Sequence, residues 1–345
     1  MPNKKIIFDK KNVLVTGGAG FIGSHLCDEM VKDSKVICLD NFISGDEKNI
    51  DHLLAEPNFE FIKHDISKPI DLEAQPELAK FKIKFQGIQE IYHFACPMSP
   101  KDFEKNKIEI LLANSHGTVN ALELAVKYDA KFIHASSSVI YGQESGEEQS
   151  VTENYFGKIN LDSATACYDE GKRFAESLVS TYQQKYKLDA RIARLFRVYG
   201  PRMKFNDGQM IPDFINNALD NKDLEIFGNK DFTSSFCYIS DCVDAIIKLS
   251  QSDYTQAVNI GSDVKVNLTT LAKKIIVITE AESNIKYSDR LIFMRPLLIP
   301  NIDKAKQEFA WMPVISLDKG LRTTVYELQA NKGLKNVQYA INEKQ

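Results

Sequence analysis

The sequence predicts an α/β chain: a doubly wound parallel sheet, with a smaller mixed α/β unit following it. Three observations point there. Short β-branched runs alternate with longer helical patterns through the first half of the 345 residues. Those runs are apolar almost throughout rather than every second residue, as in strands covered by helices on both faces. A glycine-rich turn joins the first run to the first helical pattern, the arrangement of a strand–turn–helix unit.

The elements follow in order. "NVLVT" (12–16) reads as a strand and "FIGSHLCDEMVK" (21–32) as a helix. "KVICLD" (35–40), "FEFIKHD" (59–65), "IQEIYHFA" (88–95) and "AKFIHASS" (130–137) are further strands. The spacing predicts one long amphipathic helix over 106–129 and another over 167–187, then a strand and its exit over 189–200. After Gly200 the loops lengthen. A helix "FINNALDN" (214–221), a strand "LEIFG" (224–228) and the segments "FCYISDCVDAIIKLSQ" and "QAVNIGS" come next. This texture places a first domain over 1–200, with 236–262 returning to it. A second domain covers 201–235 and 263–330, and a polar tail over 331–345 is expected to fray.

Composition narrows the function. The net charge of -4 comes from interspersed acids and bases, which argues against a nucleic-acid or anionic-membrane partner. The six cysteines are scattered, without a CxxC pair, and read as buried free thiols in a reducing compartment. His25, His52, His64, His93, His116 and His134 show no metal-ligand spacing, so no metal site is expected. The N-terminal stretch reads as neither a signal peptide nor a membrane span, and the expected location is the cytoplasm.

"VTGGAGFIGSHL" sets Gly17, Gly20 and Gly23 between a strand and a helix, and "VICLD" ends the next strand on Asp40. Glycines let backbone approach a pyrophosphate, and the helix N-terminus attracts its charge. Asp40 would accept hydrogen bonds from ribose hydroxyls and repel a 2′-phosphate, so the Rossmann-type site favours NAD over NADP. Asp65, at the end of its strand, could meet the adenine or merely cap the turn beyond it.

"CYDEGKR" puts Tyr168 and Lys172 four residues apart on one helix face. Downstream of a dinucleotide fingerprint the pair becomes a mechanism. Lys172 and a cationic nicotinamide would lower the Tyr168 pKa, the phenolate would take a hydroxyl proton, and Ser137 would hold the same oxygen.

With these residues, the chain resembles the extended short-chain dehydrogenase/reductases that modify nucleotide sugars. "VLVTGGAGFIGSHL", "IYHFACPMSP", "NSHGT", "ASSSVIYG", "ACYDEGKRFAE" and "YGPRMKFNDGQMIPDFI" carry the likeness, and several of these segments nearly repeat those of UDP-glucuronate decarboxylases. The resemblance implies a catalytic set of Ser137, Tyr168 and Lys172. It extends NAD contacts to Phe21, Ile22, Asn41, Asp65, Ile66, Ala95, Asn114 and Val198. It assigns Ser138, Asn206 and Gly208 to a nucleotide-diphosphate-sugar substrate, while Arg197, off the family pattern, could take over diphosphate contacts or form a structural ion pair. It also implies a homodimer built through the two long helices.

The chain departs from that pattern at informative places. Val139 stands where the decarboxylases and 4,6-dehydratases carry glutamate, and Ser138 where the dehydratases add aspartate. Ser234 and Leu298 replace expected arginines, and Arg197 replaces an asparagine. Oxidation at the sugar C4 needs only Ser137, Tyr168, Lys172 and NAD; elimination or decarboxylation needs further acid–base groups that valine cannot supply. Losing such a group typically costs about 10²–10⁴-fold in rate. The sequence therefore favours a 4-dehydrogenase or 4-epimerase over a decarboxylase or dehydratase with rearranged groups, and over a non-catalytic NAD sensor.

Overall fold

The computed structural model describes residues 10–142, 150–228, 230–289 and 298–342, from 334 onward as helical backbone only. Seven strands form one sheet: β1 (Lys11–Thr16), β2 (Ser34–Asp40), β3 (Phe59–Lys63), β4 (Glu90–His93), β5 (Lys131–Ser137), β6 (Ala190–Leu195) and β7 (Ala257–Ile260). Their order is β3-β2-β1-β4-β5-β6-β7, and every neighbouring pair is parallel. The order reverses direction between β1 and β4. Crevices for ligands open at such a switch point, beyond the carboxyl ends of the strands.

Helices cover both faces, which is why the strand runs are apolar throughout. On one face α1 (Phe21–Asp33) and α6 (Ile239–Gln251) bury Leu26, Cys27, Ala245 and Ile246 against Val13, Val36 and Val258. On the other, α3 (Thr118–Tyr128) and α4 (Ala166–Tyr186) bury Leu122, Ala125 and Val179 against Leu14, Ile91 and Phe132. The sole tryptophan, Trp311, is buried beside α6 and donates its indole N–H to the Asp241 carbonyl at 3.0 Å.

The expected single helix over 106–129 is instead interrupted. α2 (Lys107–Leu112) runs into a π turn at Ala113–Gly117 before α3 resumes. The Asn114 amide donates to the Ile110 carbonyl at 2.8 Å, taking an acceptor from the regular ladder, and wide turns of this kind recur at functional sites.

After β6 the chain builds a smaller layer. α5 (Met210–Leu219), α7 (Leu268–Thr279) and, after the short α8 (Asp303–Phe309), α9 (Leu317–Asn342) enclose a parallel pair, Leu224–Phe227 with Ile285–Ser288. Phe214, Ile215, Leu271, Ile275, Leu321 and Val325 form its core. α5 begins four residues before its expected start, because Pro212 falls in the first turn, where its missing N–H costs nothing. The tail expected to fray continues α9 to Asn342. β7 lies beside β6 in the large sheet, so the chain returns to the first layer after α6. Among the described residues no helix is long and apolar enough to cross a membrane.

Candidate active site

One cleft runs along the carboxyl ends of β1, β2, β4, β5 and β6. At one end lies the glycine turn. Gly17 has φ +72, and a β-carbon there would stand 2.7 Å from the Ala95 nitrogen. A β-carbon on Gly23 would stand 2.2 Å from the Gly17 carbonyl oxygen. Only glycine fits at either position. α1 then starts at the cleft wall with Gly20 as its N-cap, no side chain capping it and no acid in its first turn. Its first N–H groups and its dipole are therefore available to an anion.

Asp40 closes β2 beside this turn. One carboxylate oxygen accepts from the Ala19 N–H at 3.0 Å and the other from the Phe42 N–H at 2.8 Å. Burial pushes the carboxyl above its ordinary range, against those amide bonds. Each oxygen keeps a lone pair for a further donor, as a ribose hydroxyl requires. Asp65 lines the cleft and also accepts from the Ser67 N–H at 3.0 Å, so its capping role is present. Uncapped helix start, tight glycine turn and strand-end acid fit NAD.

The other half is built by β5 and α4. Ser137 ends β5, shares the cleft wall with the half-buried Tyr168 and accepts from the Val139 N–H at 3.4 Å. Lys172, one turn along from Tyr168, donates to the Ala135 carbonyl at 2.9 Å, with its Nζ 5.9 Å from the Tyr168 ring centroid. Within the chain itself, burial dominates and holds Tyr168 well above tyrosine's ordinary range, Cys96 adds to the rise and Ser137 opposes it; the expected lowering depends on a bound cationic nicotinamide as well as on Lys172. Arg197, at φ +27, lines the cleft, and burial pushes its guanidinium down to about 10.

The cleft wall brings together Gly17, Gly20, Phe21, Ile22, Gly23, Asp40, Asn41, Asp65, Ile66 and Ala95 with Ser137, Ser138, Tyr168, Lys172, Arg197, Val198 and Gly208. Two expected residues stand outside that wall. Asn114 lies behind it, donating to the Cys96 sulfur at 3.1 Å, and a β-carbon on Gly171 would stand 3.0 Å from its amide nitrogen. Asn206, at φ +55, accepts from the Asn216 amide with its side-chain oxygen at 3.1 Å.

Two groups escaped the sequence reading. Phe103 packs on Tyr168 with ring centroids 5.7 Å apart, and Asp207 is a buried acid on the wall. Asp207 accepts from the Gln209 amide at 3.0 Å, and burial pushes its carboxyl up. "CPMSPKDF" and "NDG", both loop sequences of unusual composition, were the available signals.

Comparison with known proteins agrees with this geometry. UDP-glucuronic acid decarboxylase 6 of Arabidopsis thaliana is 36% identical over 321 residues, 92% of this chain and 89% of that one. The UDP-glucuronic acid 4-epimerase of Bacillus cereus, solved with UDP-glucuronic acid and NAD, superposes with a TM-score of 0.79 at 26% identity, over 92% of this chain and 99% of that one. The dTDP-glucose 4,6-dehydratase of Bacillus anthracis, solved with NAD, also gives 0.79, at 27% identity over 94% and 98%. The sequence model of the NAD dependent epimerase/dehydratase family matches residues 13–261. This chain is an NAD-dependent enzyme of that family, whose members act on nucleotide sugars.

Proposed function

We propose that the chain oxidises the C4 hydroxyl of a nucleotide-diphosphate sugar, releasing the 4-keto sugar or re-reducing it as the 4-epimer. The observation that carries this reading is Val139. It lies on the cleft wall next to Ser137 and Ser138 and offers neither acid nor base.

Ser137 and Tyr168 would hold the C4 hydroxyl, and the phenolate would take its proton as the C4–H bond breaks. NAD, when bound, accepts the C4 hydrogen with its electron pair and sets positive charge beside the phenol. Lys172, tied to Ala135, would orient the cofactor's ribose. Arg197, a half-buried cation on the cleft wall, suits the diphosphate. A ketone that leaves requires that NADH then be exchanged or reoxidised; a ketone that turns takes the hydride back on its other face, and NAD is regenerated.

Asp207 favours a second reading. Were its raised carboxyl to reach the sugar's C5–C6 side, it could serve as the acid of a dehydratase despite Val139. Mass analysis of products from a panel of UDP-, GDP-, dTDP- and CDP-sugars with NAD decides. Unchanged mass with altered stereochemistry, or loss of two hydrogens, supports the first reading. Loss of water or carbon dioxide overturns it.

The assembly is a homodimer on the same reading. Ile108, Leu111 and Leu112 on α2 and Phe174 on α4 are exposed apolar side chains at helical spacing, a surface suited to a second copy.

A further inference from the structure

Beneath the cleft, α4 and β5 are joined by consecutive bonds. Tyr168, Lys172 and Glu176 recur every fourth residue on α4, while Ala135, Ser136 and Ser137 are successive residues of β5. Ser137 and Tyr168 share the cleft wall, and Lys172 donates to the Ala135 carbonyl at 2.9 Å. The Ser136 hydroxyl donates to Glu176 Oε1 at 2.5 Å. Ser136 faces Arg194 across the β5–β6 ladder, and Arg194 grips the same carboxylate, Nε to Oε1 at 3.0 Å and Nη2 to Oε2 at 2.8 Å. Arg194 is itself held by the Tyr141 hydroxyl and the Glu153 carbonyl, each at 2.9 Å. The Glu176 and Arg194 side chains are 12% and 13% exposed, and neither residue lines the cleft.

We infer that Glu176 is a positioning residue for the reaction, pinning the helix that carries Tyr168 and Lys172 to the strand end that carries Ser137. The inference rests on the oxidation assigned to Tyr168. One carboxylate spans two adjacent strands, so a slip of α4 along β5 breaks a charge-assisted hydrogen bond and a bidentate ion pair together. On the cleft side of α4 the Lys172–Ala135 bond is a single tie, and Ser137 faces Tyr168 through a rotatable hydroxyl. The Tyr168–Ser137 geometry thus depends on the rung below it, and a displacement near 1 Å at a reacting group can cost about 10²-fold.

Removing Glu176 strands a buried guanidinium and endangers the fold, so Ser136→Ala is the decisive variant. It deletes the hydroxyl and leaves the Arg194–Glu176 pair whole. In the NAD-loaded enzyme, kcat should fall about 10-fold with KM and NAD affinity nearly unchanged. The rise of kcat with pH should move to higher pH as Ser137 loses its hold on the phenolate. Ser136→Thr, which keeps the hydroxyl, should restore both. Equal kcat and pH profile in Ser136→Ala and wild type would overturn the inference, as would a loss confined to KM or to thermal stability. A wild type inert on every sugar would defeat the proposed reaction instead. Backbone hydrogen exchange over the first turns of α4 still decides the pin: faster exchange in Ser136→Ala supports it, and unchanged exchange overturns it.

Discussion

The Lys172 ammonium donates to the Ala135 carbonyl at 2.9 Å, and so binds the catalytic helix to the strand two residues before Ser137. The bond fixes the cation's place in the cleft while directing one of its three protons away from the phenol. Tyr168 itself sits well above its ordinary range, with burial as the largest cause. The chain is built to be completed by its cofactor.

Tyr168→Phe tests the base. The ring still packs on Phe103, and the glycine turn and Asp40 are untouched. NAD binding should persist in calorimetry, while turnover falls by at least about 10²–10⁴-fold, the usual worth of a general base. Surviving turnover would assign proton abstraction to another group.

Asp40→Asn tests cofactor choice. The amide can keep one backbone bond with its oxygen, but its NH₂ faces a backbone N–H where the carboxylate accepted, and the negative charge is gone. Bonds to charged acceptors are worth roughly 1.5–3 kcal/mol, so NAD affinity should drop about 10-fold or more. The penalty against NADP should shrink with the charge. Unaltered NAD/NADP discrimination in titration calorimetry would place ribose recognition elsewhere.

The sheet was legible because β1, β2 and β5 are apolar on both faces, a pattern set by helices above and below. The span of α4 was legible to within a residue from its 3.6-residue period, and Asp40 from its place at a strand tip. The π turn was not. "LLANSHGTVNAL" has an ordinary helical pattern, and the widening depends on the Asn114 amide, the Cys96 sulfur and the close pass of Gly171. The bond that the Asn206 side chain accepts from Asn216, and its positive φ, likewise left no mark in the local pattern. The Ser136–Glu176–Arg194 cluster joins three separated segments, each carrying an ordinary polar residue. Local pattern encodes which face is covered; only the assembled chain reveals which polar groups meet.

Leu111→Glu tests the proposed assembly. Leu111 is 43% exposed, flanked by Ile108 and Leu112 on one helix face, so the change places charge in any apolar contact there and none in the core. Light scattering should give a dimer for the wild type and a monomer for the variant, with the fold retained by circular dichroism. A wild-type monomer, or a variant that stays dimeric, would sink the proposed interface.

His134→Leu tests a cost hidden under the site. His134 is buried on β5, stacked on His93 with ring centroids 5.6 Å apart, and neither of its ring nitrogens has a hydrogen-bond partner. His93, by contrast, is bonded to the Thr16 and Thr118 hydroxyls at 2.7 and 3.2 Å. Burial, reinforced by the Lys172 charge, holds His134 well below histidine's ordinary 6.5 and His93 at about 3; burial and Arg202 hold His25 at about 4. All three stay neutral in the folded chain at pH values where the unfolded chain takes up their protons. Below about pH 6.5 the unfolded state therefore binds more protons, and stability falls as pH drops, by about 1.4 kcal/mol per pH unit for each group. Leucine removes one such group and two unsatisfied polar atoms, each worth roughly 1–3 kcal/mol when buried. Urea unfolding at pH 7 should show the variant at least as stable as wild type. Between pH 6 and 4.5 the gap should widen in the variant's favour, because the carboxylates common to both proteins cancel in the difference. Parallel stability curves across that window would mean that His134 is charged, or partnered, in the folded protein.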